Sequence, residues 1–148
     1  MNRIKSFFKA FGSGASANAH SDKNLAAAAL MVEAAAMDGA VGAREKGVIR
    51  ALLTNRLGLD ASEADILLAE ALTAQSDATH LMRFTRTLKD TMGEAGRVEL
   101  VEMLWRVAAA DGVIHDYEDN LIRRVAGLLY VSDRARGEAK KRALGEAG

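Results

Sequence analysis

Two short acidic segments of this chain combine residue types that could bind a cation. The first pairs Asp38 with Glu45, the second pairs Asp111 with Glu118, and both read D-G-x-(V/I)-x-x-x-E. Each follows an Ala-rich stretch of helical character and precedes a stretch with apolar residues at helical spacing. If the two segments meet, their four carboxylates offer oxygen ligands to a hard divalent cation, and without one they repel each other. The repeat therefore predicts an acidic metal site.

The same segments also have a structural explanation as helix ends. Gly39 and Gly112 stand where a helix must stop and a left-handed residue is needed. Gly42 and His115 fall at N-cap positions, and the glutamate three residues after each of them would reach back to the N-cap amide. The two glutamates are thereby explained without a ligand.

The two aspartates are harder to explain as caps, because a carboxylate at the C-terminus of a helix opposes the helix dipole. Asp38 and Asp111 need either a hydrogen-bond donor, such as a free amide at the start of the next helix, or a cation. Neither segment is an EF-hand loop, since Gly stands at position 2 and apolar residues intervene. A bound cation would be Ca²⁺ or Mg²⁺, with Mn²⁺ and Zn²⁺ ranked below them.

The elements that must position these residues are helices. The chain has 148 residues, no Pro, and many Ala, Leu, Glu, Arg and Lys, which predicts one all-α domain. Periodicity and capping residues indicate a compact bundle of about seven helices with two pseudo-repeated helix-turn-helix halves. Trp105 lies next to the apolar stripe of the fifth helix, so we expect it to pack at the edge of the core. The expected helices are about 22–37, 43–57, 60–75, 77–92, 94–110, 116–130 and a last one after Ser132.

The N-terminus differs in character from the rest of the chain. Residues 1–21 comprise a basic amphipathic segment, with apolar side chains at helical spacing, and a flexible linker rich in Gly, Ser and Ala. Residues 22–148 form the helical domain. Residues 1–11 would dock on a membrane surface or in a partner's groove, or would fold back onto their own domain.

Composition excludes several classes of function. Lys plus Arg equal Asp plus Glu at 20 each, so no net field would draw the molecule to nucleic acid. Without Cys there is no disulfide, thiolate nucleophile or thiol-based reduction. No apolar run approaches the roughly 20 residues of a transmembrane helix, and we expect a soluble cytoplasmic protein.

The sequence predicts no catalytic residues. The histidines, His20, His80 and His115, have neither the spacing of a catalytic triad nor that of metal ligands. A metal-dependent hydrolase would need a lined pocket and an open coordination position, and nothing encodes a distinctive base.

Residues 25 to about 135, including both Asp-Gly motifs, resemble a known family. The run Leu100 to Gly112, continuing through Glu118 to Ser132, is similar to the TerB-like domain of tellurite resistance proteins, as is Arg83-Phe84-Thr85. The resemblance implies a compact all-α domain, found in bacterial cytoplasmic stress proteins and in membrane-linked J-domain co-chaperones. It also implies a metal site at the doubled Asp and Glu. The chain lacks the His-Pro-Asp tripeptide of a J-domain, and without Cys it should not reduce tellurite itself.

We therefore expect a non-catalytic TerB-like module that serves as a stress-associated interaction or sensory domain. Its protein partner is unknown, with membrane-associated partners among the options, and a divalent cation would bind Asp38, Glu45, Asp111 and Glu118. The alternatives are a purely structural domain whose acidic residues cap helices and a metal-dependent hydrolase.

Overall fold

The computed structural model describes residues 15–36, 41–74 and 78–145, and these ranges are helical without a strand. The all-α prediction is therefore confirmed. Within the described ranges the helices are α1 (Ala15–Ala35), α2 (Ala43–Asn55), α3 (Ala61–Thr73), α4 (Ala78–Thr91), α5 (Glu94–Ala108), α6 (Asp116–Leu128) and α7 (Asp133–Ala143).

The largest difference from the predicted bounds is at the start of α1. This helix begins at Ala15, so it includes residues 15–21, which the sequence analysis placed in the flexible linker. Alanine has the highest helix propensity, and a helix that is already formed extends without a second nucleation step. Residues 1–14, with the amphipathic segment 1–11, lie outside the described residues.

Helix α1 forms the centre of the molecule. It contacts five other helices, α2 to α6, and its residues 26–31 are apolar and buried on every side of the helix. Its alanines let those neighbours approach closely, and two larger side chains fill the remaining space. The buried residues of α1 are Ala26, Ala27, Ala28, Ala29, Leu30, Met31, Ala34 and Ala35.

Helix α5 is the second central element, and α7 lies along it as its closest neighbour. The run Leu100–Trp105 is buried throughout, including the polar Glu102. Trp105 is only 1% exposed, so the expectation that it packs at the edge of the core is wrong. The sequence pattern of α5 could not show this, because residues of α7 cover the indole ring: the Lys140 ammonium lies 4.8 Å from its centre.

The capping residues predicted for α3 and α7 are confirmed. Asp60 accepts a hydrogen bond from the amide of Glu63 at 2.8 Å, and Glu63 accepts one from the amide of Asp60 at 3.0 Å. Ser132 accepts a hydrogen bond from the amide of Ala135 at 3.1 Å. Both helix starts are therefore fixed by local sequence.

None of the helices in the described part of the chain has the length and apolar character needed to cross a membrane.

Candidate functional site

The second acidic segment connects α5 to α6 and is described in full. Of the first segment, the structure describes residues 41–45, between α1 and α2, whereas Asp38 lies outside the described residues. Asp111 is exposed, Glu45 is half-buried, and Glu118 is 5% exposed. The carboxylate of Glu118 is therefore the one that the fold removes from water.

The Asp111 carboxylate is held by the turn in which it lies. Gly112 has φ +92°, as predicted for the residue that ends the helix, and its amide donates to the carbonyl of Ala109 at 2.8 Å. Asp111 Oδ1 accepts from the amide of Val113 at 3.1 Å, and Oδ2 lies 3.6 Å from His115 Nε2. The Val113 amide above all, and the His115 ring after it, hold the pKa of Asp111 below its usual range. Asp111 thus has a donor without any cation.

Glu118 is the third residue of α6 and reaches back to the start of the helix, as predicted. Its Oε1 accepts from the amide of His115 at 2.9 Å. Burial nevertheless raises the pKa of Glu118, and the carboxylates of Asp111 and Glu45 raise it further, while His115 opposes the shift. The fold therefore brings Asp111 and Glu45 within electrostatic range of Glu118.

Glu45 takes the corresponding position in α2. Gly42 is the N-cap residue, as predicted, and a Cβ built on it would lie 2.6 Å from Glu45 Oε1. The Glu45 side chain therefore folds back over the N-cap, and the absence of a side chain at Gly42 leaves the space for its carboxylate.

Sequence reasoning did not find Glu33, which joins this site to α1. Tyr117 Oη donates to Glu33 Oε2 at 2.8 Å, so the first turn of α6 is fastened to the last part of α1. Burial, then Glu33 and Glu118, raise the pKa of Tyr117 to about 12. The phenol is therefore protonated at neutral pH and acts as a hydrogen-bond donor. No spacing rule connects two residues so far apart in the chain.

Within the described residues, no group of three or more His, Asp or Glu side chains is placed to hold a metal ion. Asp38, the remaining predicted ligand, is not among those residues. Negative charge is concentrated at the start of α6, where Asp116 and Glu118 follow Asp111, and such a region attracts cations, whereas Arg44 and Lys46 flank Glu45 at the start of α2.

A second charged cluster, also missed from the sequence, is centred on Glu102 of α5. Glu102 accepts hydrogen bonds from Arg106 Nη2 at 2.8 Å, Arg142 Nε at 2.9 Å and Arg56 Nη2 at 3.3 Å. Burial alone would raise the pKa of Glu102, but the three guanidinium groups lower it overall. This cluster joins α2, α5 and α7, and every charge in it has a partner.

A family model described as "Tellurite resistance protein TerB" matches residues 24–141, which is most of the chain. No curated protein and no solved structure gives a significant match.

Proposed function

The chain belongs to the TerB family of tellurite resistance proteins, and from this premise we propose that it is a non-catalytic helical module of the cytoplasm. In this proposal it binds a stress-associated protein partner and responds to a divalent cation. The cation would bind Asp38, Glu45, Asp111 and Glu118, with Ca²⁺ or Mg²⁺ preferred as hard ions for oxygen ligands.

The environment of Glu118 is the observation that carries this proposal. A nearly buried carboxylate lies within electrostatic range of Asp111 and Glu45, and its charged form is disfavoured for that reason. A dication would offset both the burial and the repulsion, so it would bind the folded state in preference to the unfolded chain.

The location of the site indicates what such a cation would do. Glu45 lies in the first turn of α2, Glu118 lies in the first turn of α6, and the Tyr117 to Glu33 hydrogen bond connects α6 to α1. A cation bound by both acidic segments would hold the α1–α2 connection and the α5–α6 connection together. A surface near these connections would then change its rigidity with cation concentration, which is the behaviour of a sensor.

The test is thermal unfolding of chelated protein titrated with Ca²⁺, Mg²⁺, Mn²⁺ and Zn²⁺ at fixed ionic strength. One cation should raise the midpoint saturably, by about 5–10 °C at a hundredfold excess over its Kd. Glu118→Gln should abolish the rise. Glu63→Gln is the matched control, because Glu63 accepts a hydrogen bond from the N-cap amide of α3 in the same way and belongs to neither acidic segment.

A flat response to all four cations would overturn the metal proposal. The acidic segments would then be helix caps. The hydrogen bonds that Asp111 and Glu118 accept from backbone amides support this alternative. The substitution Asp111→Asn also distinguishes a helix cap from a metal ligand. If Asp111 is only a cap, the substitution lowers the midpoint slightly and equally with chelator and with cation, since Asn still accepts the Val113 amide. If Asp111 is also a ligand, the loss is larger with the cation than with the chelator.

A further inference from the structure

Helix α7 is attached to the rest of the molecule by few apolar side chains. Among its residues Asp133–Ala143, all of which are described, Ala139 is buried and Ala135, Arg136, Lys140 and Ala143 are half-buried. In contrast, eight residues of its main neighbour α5 are buried. Because alanine contributes a single methyl group, hydrophobic contact holds α7 much less firmly than it holds α5.

Charged contacts supply the other part of the attachment. Arg142 Nε binds Glu102 Oε1 at 2.9 Å, and Lys140 Nζ binds Asp119 Oδ1 at 3.2 Å. The same ammonium lies 4.8 Å from the centre of the Trp105 ring. We call these three contacts the α7 latch. The Arg142 and Lys140 side chains are 44% and 35% exposed, so salt screens their interactions.

The carboxylates of the latch keep partners when α7 is taken away. Glu102 retains Arg106 at 2.8 Å and Arg56 at 3.3 Å. Asp119 retains Arg123 at 2.7 Å. Removing one partner of a buried ion pair is strongly unfavourable when it leaves the other charge unpaired. Here Glu102 and Asp119 would each keep an arginine partner. Separation of α7 therefore avoids the main electrostatic penalty of breaking buried ion pairs.

Trp105 would gain a hydrogen bond if α7 moved. Its indole Nε1 is buried and has no hydrogen-bond partner in the structure. A buried N–H without an acceptor is destabilising relative to one that reaches water. Exposure of the ring itself opposes the movement, so the closed state remains the ground state.

The connection to α6 turns at one residue. Tyr130 has φ +60°, and the amides of Tyr130 and Val131 donate to the carbonyls of Gly127 and Ala126 at 3.1 and 2.9 Å. These are the hydrogen bonds of a left-handed helix end, so α6 is closed by its own backbone contacts and does not depend on α7.

We propose that α7 is a reversible cover, which leaves α5 while the other helices remain folded and thereby exposes the face of α5 that carries Glu102 and Trp105. Salt favours the open state, since the α7 latch is screened more strongly than the apolar packing beneath it. The opening is a local unfolding event of lower free energy than global unfolding.

Hydrogen exchange of the full chain at 0.05 and 1 M NaCl tests this proposal, with Trp105 emission as a second readout because the chain contains one Trp. We expect α7 amides to exchange about three- to tenfold faster at high salt, with α1 unchanged and Trp105 emission shifted to the red. Lys140→Met and Arg142→Met together should produce the same pattern at low salt. Arg134→Met is the control, since the ion pair of Arg134 in the described part of the chain is with Glu138 of α7 itself, and its side chain is 88% exposed.

Three results would overturn the proposal. The first is that α7 amides exchange as slowly as those of α1 and do not respond to salt or to the paired substitution. The second is that α1 and α7 accelerate equally, which indicates global unfolding. The third is that the control accelerates α7 as much as the paired substitution does.

Discussion

Glu118 makes a favourable local contact in an unfavourable electrostatic position. Its carboxylate stabilises the start of α6 by accepting the His115 amide, yet burial and two neighbouring carboxylates raise its pKa. A raised carboxyl pKa means that the folded state binds the proton more tightly than the unfolded chain does. The free energy of unfolding contributed by Glu118 therefore falls as pH rises through the raised pKa, and it is recovered on acidification.

Glu118→Gln in chelator should raise the unfolding midpoint at pH 7 to 8. The amide keeps an acceptor for the His115 N–H and removes the charge, and a gain of about 0.5–1 kcal/mol corresponds to about 1–4 °C. The gain should disappear near pH 4, where Glu118 is protonated in the wild type. Circular dichroism melts at several pH values measure this, with Glu63→Gln unchanged or slightly less stable. A Glu118→Gln variant that is less stable at every pH would contradict the assignment.

At the scale of helices, Glu102 links α2, α5 and α7 through three arginines. The pKa of Glu102 is lowered in the folded state, so its contribution to stability is present above its ordinary pKa of 4.5 and is lost as pH falls through the folded value. Its ionic contacts therefore protect the packing of these helices at neutral pH and fail in acid.

Glu102→Ala should lower the midpoint by about 3–10 °C at pH 7. The substitution leaves three guanidinium groups without their shared carboxylate, and their partial exposure reduces the loss to about 1–3 kcal/mol. Glu99→Ala is the control, since Glu99 is exposed and, among the described residues, its ion pair is with Arg56, so its midpoint should move by about 2 °C or less. Melts at pH 7 and pH 3.5 check the assignment, because the Glu102 effect should shrink in acid. Equal effects of the two substitutions would contradict it.

Local features of the helices could be predicted from sequence, and features that depend on how helices cross could not. The caps at Asp60 and Ser132 and the turn at Gly112 are governed by residues within one turn of each other, so their spacing was sufficient. The depth of Trp105 depends on α7, and the Glu102 cluster joins residues from three helices. The pair of Glu102 with Arg106 has the i,i+4 spacing of one helix, but the contacts of Glu102 with Arg56 and Arg142 and the depth of Trp105 leave no pattern in the sequence of α5.

The acidic site shows the same division between local and distant contacts. The contacts of Asp111 and Glu118 with backbone amides follow from the motif itself. The hydrogen bond from the His115 amide to Glu118 was predicted. The bond from Tyr117 to Glu33 joins α6 to α1, and no rule of spacing predicts it. Asp38 lies outside the described residues, so its part in the site stays a prediction.

At the scale of the whole molecule, the hypotheses of a metal-dependent hydrolase and of a binding module predict different catalytic activities. Purified protein with Mg²⁺, Mn²⁺ or Zn²⁺ should not hydrolyse p-nitrophenyl phosphate or p-nitrophenyl acetate above a protein-free blank. The reason is that Tyr117, with a pKa of about 12, is a poor proton donor, and the Asp111 carboxylate is engaged by its own turn. Metal-stimulated turnover that Asp111→Asn removes would reverse this conclusion.

The central position of α1 has a consequence for biosynthesis. Its alanine-lined surface is covered by helices as distant in the chain as α6, which ends at Leu128. During translation α1 leaves the ribosome well before α6 does, because α2 to α5 lie between them in the chain. At about 5–20 residues per second this interval lasts several seconds. Alanine side chains expose little apolar surface during that wait, so a helix that is synthesised early and buried late gives a nascent chain few sites for aggregation.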